Sequence, residues 1–114
     1  MHELSLSLNI LDLVERSVDK EKVRQVYEVR IEVGMLSGVD AGYLEETLKM
    51  VAATTDYSKV RWVMTQKGAS GYCEHCCLQF PMMYLWDVCP RCGRRAGKIT
   101  EGDDVEVDSI IVLE

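Results

Sequence analysis

The residues with the clearest chemistry are the five cysteines, which all lie between positions 73 and 92 in CEHCCLQFPMMYLWDVCPRCG. Four of them form two pairs of equal spacing, with two residues inside each pair and twelve between the pairs. Two turns that each supply two thiolates make a closed tetrahedral site, with zinc about 2.3 Å from each sulfur. The spacing therefore predicts a structural zinc site made by Cys73, Cys76, Cys89 and Cys92.

The residues alone leave other roles possible for these cysteines. Four thiolates also suit iron in a rubredoxin-like electron-transfer centre, and free cysteines can simply pack in a core. A catalytic zinc ion is disfavoured, because four protein ligands leave no open position for water. Disulfides are disfavoured too, since clustered cysteines in a reducing compartment usually bind metal.

The same segment holds a fifth cysteine and a histidine. Pairing Cys73 with Cys76 repeats the spacing of the second pair and places Cys77 where Gly93 stands in the second turn. We therefore predict that Cys77 is not a ligand. His75 lies inside the first turn, where a side chain normally points to solvent; the alternative is a secondary or pH-sensitive ligand.

The amino terminus, MHE, is a second candidate site, because it carries one of only two histidines. The Met1 amine, the His2 backbone nitrogen and the His2 imidazole close fused chelate rings around one ion. Nitrogen-rich planar donors suit Ni(II) or Cu(II). From these residues alone, His2 is either such a ligand or an incidental histidine.

The elements that must position both sites follow from the pattern of apolar residues. Leucines and valines from Leu4 to Val18 recur at helical spacing, and VYEVRIEVG alternates as a half-buried strand does. The glycines of KGASG predict a hinge before the cysteines. The predicted elements are a helix over about 4–18, a strand over 26–34, a helix from near Asp40 to about 55, and strands over 60–66 and 104–113.

This order predicts an α/β fold in which two helices cover one face of a small mixed sheet. The cysteine segment is then an inserted four-cysteine zinc-ribbon subdomain over residues 72–98, and residues 1–71 plus 99–114 form the α/β body. A segment as short as the ribbon cannot bury enough apolar surface to order itself. Zinc must therefore contribute to its folding.

Charge and composition narrow the function. The 114 residues carry a net charge of −6, spread as −2 over 1–72, +2 over 73–98 and −6 over 99–114. Because no continuous basic face exists, nucleic acid is not expected as a partner. One rival interpretation, a nucleic-acid-binding ribbon, rests on the basic residues Arg91, Arg94, Arg95 and Lys98. A general protein-interaction module is the other alternative.

Neither a membrane protein nor an enzyme is expected. No apolar run approaches the roughly 20 residues that span a bilayer, and no signal peptide is recognisable, so we expect a cytoplasmic protein without membrane contact. An open metal position and a convincing acid and base pair are both missing from the pattern. The sequence therefore indicates a binding protein.

The combination of MHE, a small α/β body, and CEHC with CPRC before the final strand resembles the HypA/HybF family, the nickel metallochaperones of [NiFe]-hydrogenase maturation. The resemblance covers essentially the whole chain. It implies delivery of Ni(II) to the hydrogenase large subunit, cooperation with a HypB-type GTPase, and structural Zn(II) in the ribbon. It also implies docking through partners, for which Arg94 and Arg95 offer a basic face toward acidic surface of the target enzyme.

The same resemblance implies the nickel ligands. In the family the MHE motif holds nickel, which carries over to Met1, His2 and Glu3. Some members add an acidic residue at the start of the second helix, which Asp40 matches; the alternative is that Asp40 only caps that helix. Cys77 is an extra thiol relative to the family pattern.

Overall fold

The computed structural model describes residues 3–113, apart from the side chain of Arg24. The chain forms two compact units. The first contains the described residues up to Glu32, Val39–Thr65 and those from Glu106 onward, and the second contains Val33–Gly38 and Gln66–Val105. The elements are α1 (Glu3–Ser17), a 3₁₀ helix (Lys20–Gln25), β1 (Val26–Gly34), α2 (Ala41–Ala52), β2 (Arg61–Lys67), β3 (Ala69–Cys73), β4 (Leu78–Met82), β5 (Lys98–Glu101) and β6 (Val105–Val112).

The two predicted helices pack together in the first unit. Residues at helical spacing on α1 are buried, and so are Leu44 and Leu48 on α2. Ser7 and Thr47 are also buried, and their hydroxyl oxygens lie 2.7 Å apart, so each satisfies the other's polar group. Within residues 3–113, no helix has both the length and the apolar character needed to cross a membrane.

Helix α2 ends at Ala52, three residues before the predicted end. Both the backbone N–H and the hydroxyl of Thr55 donate to the carbonyl oxygen of Ala52, at 3.0 and 2.8 Å. A threonine that bonds to nearby backbone in this way competes with helix continuation. The apolar period runs past Ala52, but local hydrogen bonding stops the helix there.

The first sheet is mixed, as predicted, with β1 between β2 and β6. The Thr65 hydroxyl donates to the carbonyl oxygen of Ile31, and the Met35 N–H donates to that of Lys67, so β2 runs parallel to β1. Helix α2 supplies the long crossover that parallel neighbours need. Strand β6 runs antiparallel to β1, since Leu113 N–H bonds to Gln25 O while Gly34 N–H bonds to Asp104 O.

The second unit has its own antiparallel sheet, in the order β4-β3-β5. The β3–β4 pairing runs from Ala69 opposite Met82 to Cys73 opposite Leu78. A side chain at Gly71 would force its neighbours to shift, because a Cβ there would overlap Met82 Sδ and lie 2.9 Å from the Ala96 Cβ. A cluster of buried hydrophobic residues in this unit consists of Ala69, Cys73, Phe80, Met82 and Cys89.

One prediction about this region needs correction. The predicted hinge KGASG is mostly strand: only Gly68 separates β2 from β3, because Ala69 is already buried and paired. The second compact unit includes all of β3 and the segment Val33–Gly38. Met35 and Leu36 pack against its buried cluster, a long-range contact with no signature in the local sequence.

Candidate metal centres

The four cysteines predicted to bind zinc lie together in the second unit. Their Sγ atoms all lie within 4.8 Å of one another, and those of Cys73 and Cys92 are 3.5 Å apart. A tetrahedral zinc ion with Zn–S distances of about 2.3 Å requires sulfurs roughly 3.8 Å apart. The cluster therefore fits a tetrahedral zinc site, with Cys73 and Cys89 buried and Cys76 half-buried.

The two turns that supply these thiols share one backbone arrangement. In the first turn, Cys73 pairs with Leu78, five residues later, across the β3–β4 hairpin. In the second turn, Cys89 N–H donates to the carbonyl oxygen of Arg94, also five residues later, at 2.8 Å. The equal cysteine spacing thus reflects two equivalent turns.

Cys77 and Gly93 occupy the same place in these turns, as the alignment of the two pairs predicted. Each directly follows the second cysteine of its pair, and each has a positive φ, 52° for Cys77 and 76° for Gly93. Among the described residues, Cys77 is the only non-glycine with positive φ. Its exposed thiol lies 3.7 Å from Glu74 O and outside the four-sulfur group, and His75 is exposed as well.

The surroundings of the sulfurs act on their ionisation in opposite directions. Burial raises the pKa of the Cys76 thiol to about 12, with further contributions from the neighbouring cysteine sulfurs. Burial also disfavours the Cys89 thiolate, but hydrogen bonds from the backbone of Cys92 and Arg91 outweigh it and lower the pKa of Cys89 to about 7. The Cys76 thiol therefore holds its proton at neutral pH, and a metal ion that binds there must displace it.

The candidate nickel site is described only from Glu3 onward, because Met1 and His2 lie outside the described residues. Glu3 Oε2 accepts a hydrogen bond from the backbone N–H of Asp40 at 3.3 Å. Asp40 Oδ1 in turn accepts from the N–H of Tyr43 at 3.0 Å, so Asp40 is the N-cap of α2. The fold therefore brings Glu3 and Asp40 together. It also gives Asp40 the helix-capping role, the alternative to nickel binding for this residue.

The comparisons with known proteins agree with this architecture. A profile of the HypA family, described as hydrogenase/urease nickel incorporation metallochaperone, matches residues 1–112. The hydrogenase maturation factor HypA of Parabacteroides distasonis is 36% identical over 112 residues, covering 98% of this chain and 97% of that protein. The factor of the same name from Psychromonas ingrahamii is 30% identical and covers 98% of both chains.

Solved structures give the same fold. The solution structure of the Ni metallochaperone HypA from Helicobacter pylori superposes with a TM-score of 0.75 at 20% identity, covering 99% of this chain and 98% of that one. The family and relatives are named for metal delivery and maturation, which confirms that the chain is not an enzyme. The whole-length match shows that the chain belongs to the HypA family of nickel-incorporation metallochaperones.

Proposed function

We propose that this protein binds Ni(II) at its amino terminus and delivers it to the large subunit of a [NiFe]-hydrogenase during maturation, while structural Zn(II) stays in the four-cysteine cluster. The observation that carries the proposal is the match to a nickel-incorporation family over residues 1–112, a range that includes the MHE motif. The relatives from Parabacteroides distasonis and Psychromonas ingrahamii are hydrogenase maturation factors, which supports the hydrogenase as target.

The proposed nickel donors are the Met1 amine, the His2 backbone nitrogen and the His2 imidazole. These three atoms form fused chelate rings and give the nitrogen-rich planar set that Ni(II) prefers. Glu3 completes or tunes the coordination sphere. A site at a chain terminus has few packed contacts to break, which suits an ion that must be handed on.

The contact between Glu3 and Asp40 supports a cation site at this place. The N-terminus of a helix carries partial positive charge, and both α1 and α2 begin here, so two helix dipoles oppose a bound cation. The carboxylates of Glu3 and Asp40 counter that field. Because Asp40 Oδ1 already caps α2, any direct bond to nickel is assigned to its other oxygen.

The proposed zinc ligands are Cys73, Cys76, Cys89 and Cys92, with Cys77 excluded. The sulfur separations support a tetrahedral ion, and four thiolates leave no position open for transfer chemistry. Zinc is therefore the retained ion and nickel the cargo.

The proposed partners are a HypB-type GTPase and the hydrogenase large subunit, without a role for nucleic acid. Arg94 and Arg95 are exposed in the second unit and are available to acidic surface on the target. The proposed compartment is the cytoplasm, because a cluster of reduced cysteines needs a reducing environment.

Nickel titration of the zinc-loaded protein tests the proposal, with the two histidines as matched variants. His2→Ala should weaken nickel binding by about 100-fold or more, equivalent to about 2.7 kcal/mol, while His75→Ala leaves it unchanged. Zinc content should stay at one ion per chain in both. Equal nickel affinity of the His2→Ala and native proteins would overturn the terminal site.

Delivery is tested with the native protein and a metal-free hydrogenase large subunit. Radioactive nickel bound to the chaperone should appear in the large subunit after mixing, and the His2→Ala protein should transfer none. Transfer that proceeds equally from free nickel at the same concentration would contradict a delivery role.

A further inference from the structure

We propose that the second unit carries a docking site for an extended peptide segment of a partner protein, in which acidic residues flank a bulky apolar side chain. The site consists of residues 83–88, here called the aromatic loop, the cavity beside it and the arginines that follow. This inference goes beyond nickel binding, since none of these residues belongs to either proposed metal site.

The aromatic loop exposes an unusual amount of apolar surface. It follows directly on β4, whose Phe80 and Met82 are buried in the core of the unit. The next four side chains are large, apolar and at least half exposed: Met83 (62%), Tyr84 (50%), Leu85 (63%) and Trp86 (65%). A contiguous exposed patch of this kind marks an interaction site more often than a structural need.

The loop is held in one conformation by its own polar contacts. Asp87 Oδ2 accepts from the N–H groups of Met83 and Tyr84, at 2.7 and 3.1 Å, and the Asp87 N–H donates to Tyr84 O. The rings of Tyr84 and Trp86 stack with centroids 4.8 Å apart and planes 9° apart. A preorganised aromatic pair loses little entropy on binding, and tyrosine and tryptophan dominate binding energies at interfaces.

A cavity of about 330 Å³ lies beside the loop, with Met35, Leu36 and Gly38 on its other side. This wall is fixed by backbone hydrogen bonds, from Met35 N–H to Lys67 O at 2.9 Å and from Leu36 N–H to Gly102 O at 2.8 Å. The lining side chains are apolar except for the Tyr84 hydroxyl and the Trp86 indole N–H, so a polar metabolite would find few partners there. The cavity suits one bulky apolar side chain.

The charge beside the loop selects an acidic partner. Arg95 lies directly opposite Val88, the last residue of the loop, in an isolated β-bridge. Arg94 is anchored next to it through the bond from Cys89 N–H to its carbonyl oxygen, and the side chains of Arg91, Arg94 and Arg95 are all exposed. Carboxylates that flank the apolar anchor would meet these guanidinium groups.

A peptide is favoured over a membrane surface for two reasons. The site includes a shallow, open cavity, whereas a loop that inserts into lipid presents a convex apolar tip. The net charge of −6 also opposes approach to an anionic bilayer, while a short peptide senses only charges within about 10 Å.

Tryptophan fluorescence of the zinc-loaded protein provides the test. Trp86 is exposed and Trp62 is buried in the first unit, so only Trp86 should respond to docking. The probe is a blocked peptide of two leucines flanked on each side by three glutamates. We expect a saturable blue shift, absent in Trp86→Phe. Peptides with serines for the leucines, or lysines for the glutamates, should bind at least tenfold more weakly.

Two variants and one control locate the site. Leu85→Asp and Arg94→Glu/Arg95→Glu should each weaken the probe at least tenfold, with zinc content and circular dichroism unchanged. The matched charge reversal Lys20→Glu/Lys22→Glu, on the exposed 3₁₀ helix of the first unit, should have no effect. Equal losses in the control and the Arg94/Arg95 variant would mean that net charge, not this site, binds the probe.

Three further results would overturn the proposal. One is the absence of any saturable shift with the leucine–glutamate peptide up to about 1 mM, the weakest affinity of interest. Another is a Trp86 shift on phosphatidylglycerol vesicles but not with the peptide, which would identify a lipid surface. The third is a dimer of native protein that Leu85→Asp converts to monomer, which would identify a second copy of this chain as the occupant.

Discussion

The Oε2 atom of Glu3 accepts a hydrogen bond from the backbone N–H of Asp40 at 3.3 Å, across 37 positions of sequence. The bond joins the first turn of α1 to the N-cap of α2. It places the Asp40 backbone next to Glu3, the residue that directly follows the proposed nickel donors in the sequence. Mutation of Asp40 therefore separates the structural and electrostatic roles of this residue.

Asp40→Asn should keep the cap but weaken nickel binding. Asparagine caps helices as well as aspartate does, so the free energy of unfolding should change by only a few tenths of a kcal/mol, whereas Asp40→Ala should lose about 1 kcal/mol. Loss of the negative charge should weaken nickel binding about fivefold in both variants. Urea denaturation and nickel titration measure the two effects. Native nickel affinity in Asp40→Asn would restrict this residue to capping.

Extension of the chain by one glycine before Met1 should weaken nickel binding as severely as His2→Ala. The extension keeps every side chain but moves the free amine out of its chelate ring. Nickel titration of the extended protein, with zinc content as the folding control, measures the effect. Should the extended chain bind nickel as tightly as the native one, the Met1 amine is not a ligand.

Cys89→Ala should abolish zinc binding and unfold the second unit. The variant removes one ligand and a buried core residue together, while the first unit keeps its own core around Val14 and Leu48. Metal analysis should give no tightly bound zinc, and hydrogen exchange should show protection only in the first unit. Cys77→Ala is the matched control and should retain zinc. Zinc lost from the control but kept in a Cys76→Ala variant would reverse the assignment of these two cysteines.

Cys77→Gly should stabilise the zinc-loaded protein by up to about 1 kcal/mol, because glycine adopts the positive φ of this position without strain. Gly93→Ala, the reciprocal change at the equivalent position, should destabilise it by about 1 kcal/mol. Urea denaturation at constant zinc gives both values. A less stable Cys77→Gly protein, or a more stable Gly93→Ala protein, would show that the shared backbone conformation does not control stability.

Local patterns predicted most of this fold. The alternation in β1 placed the strand at its observed residues, and equal cysteine spacing placed Cys77 where Gly93 stands. The failures concern long-range contacts. The hinge prediction for the residues of β3 is wrong because Ala69 is buried through its pairing with Met82, a contact that local sequence does not reveal.

The candidate sites show the same difference between local patterns and long-range contacts. The zinc ligands are adjacent in two short turns, so their spacing alone brings them together. The contact between Glu3 and Asp40 depends on how two helices pack and has no local signal. The exposure of Trp86 is equally hidden, because a run such as MMYLW has the composition of a core.

Cys73 and Cys89 are at once sulfur donors and members of the buried cluster that contains Phe80 and Met82. A zinc ion held by these sulfurs would have two of its four bonds to buried cysteines, so its departure would require local opening of the unit. The lifetime of that ion would then be governed by an unfolding barrier, while an ion at the proposed terminal nickel site would exchange on the timescale of its own coordination chemistry.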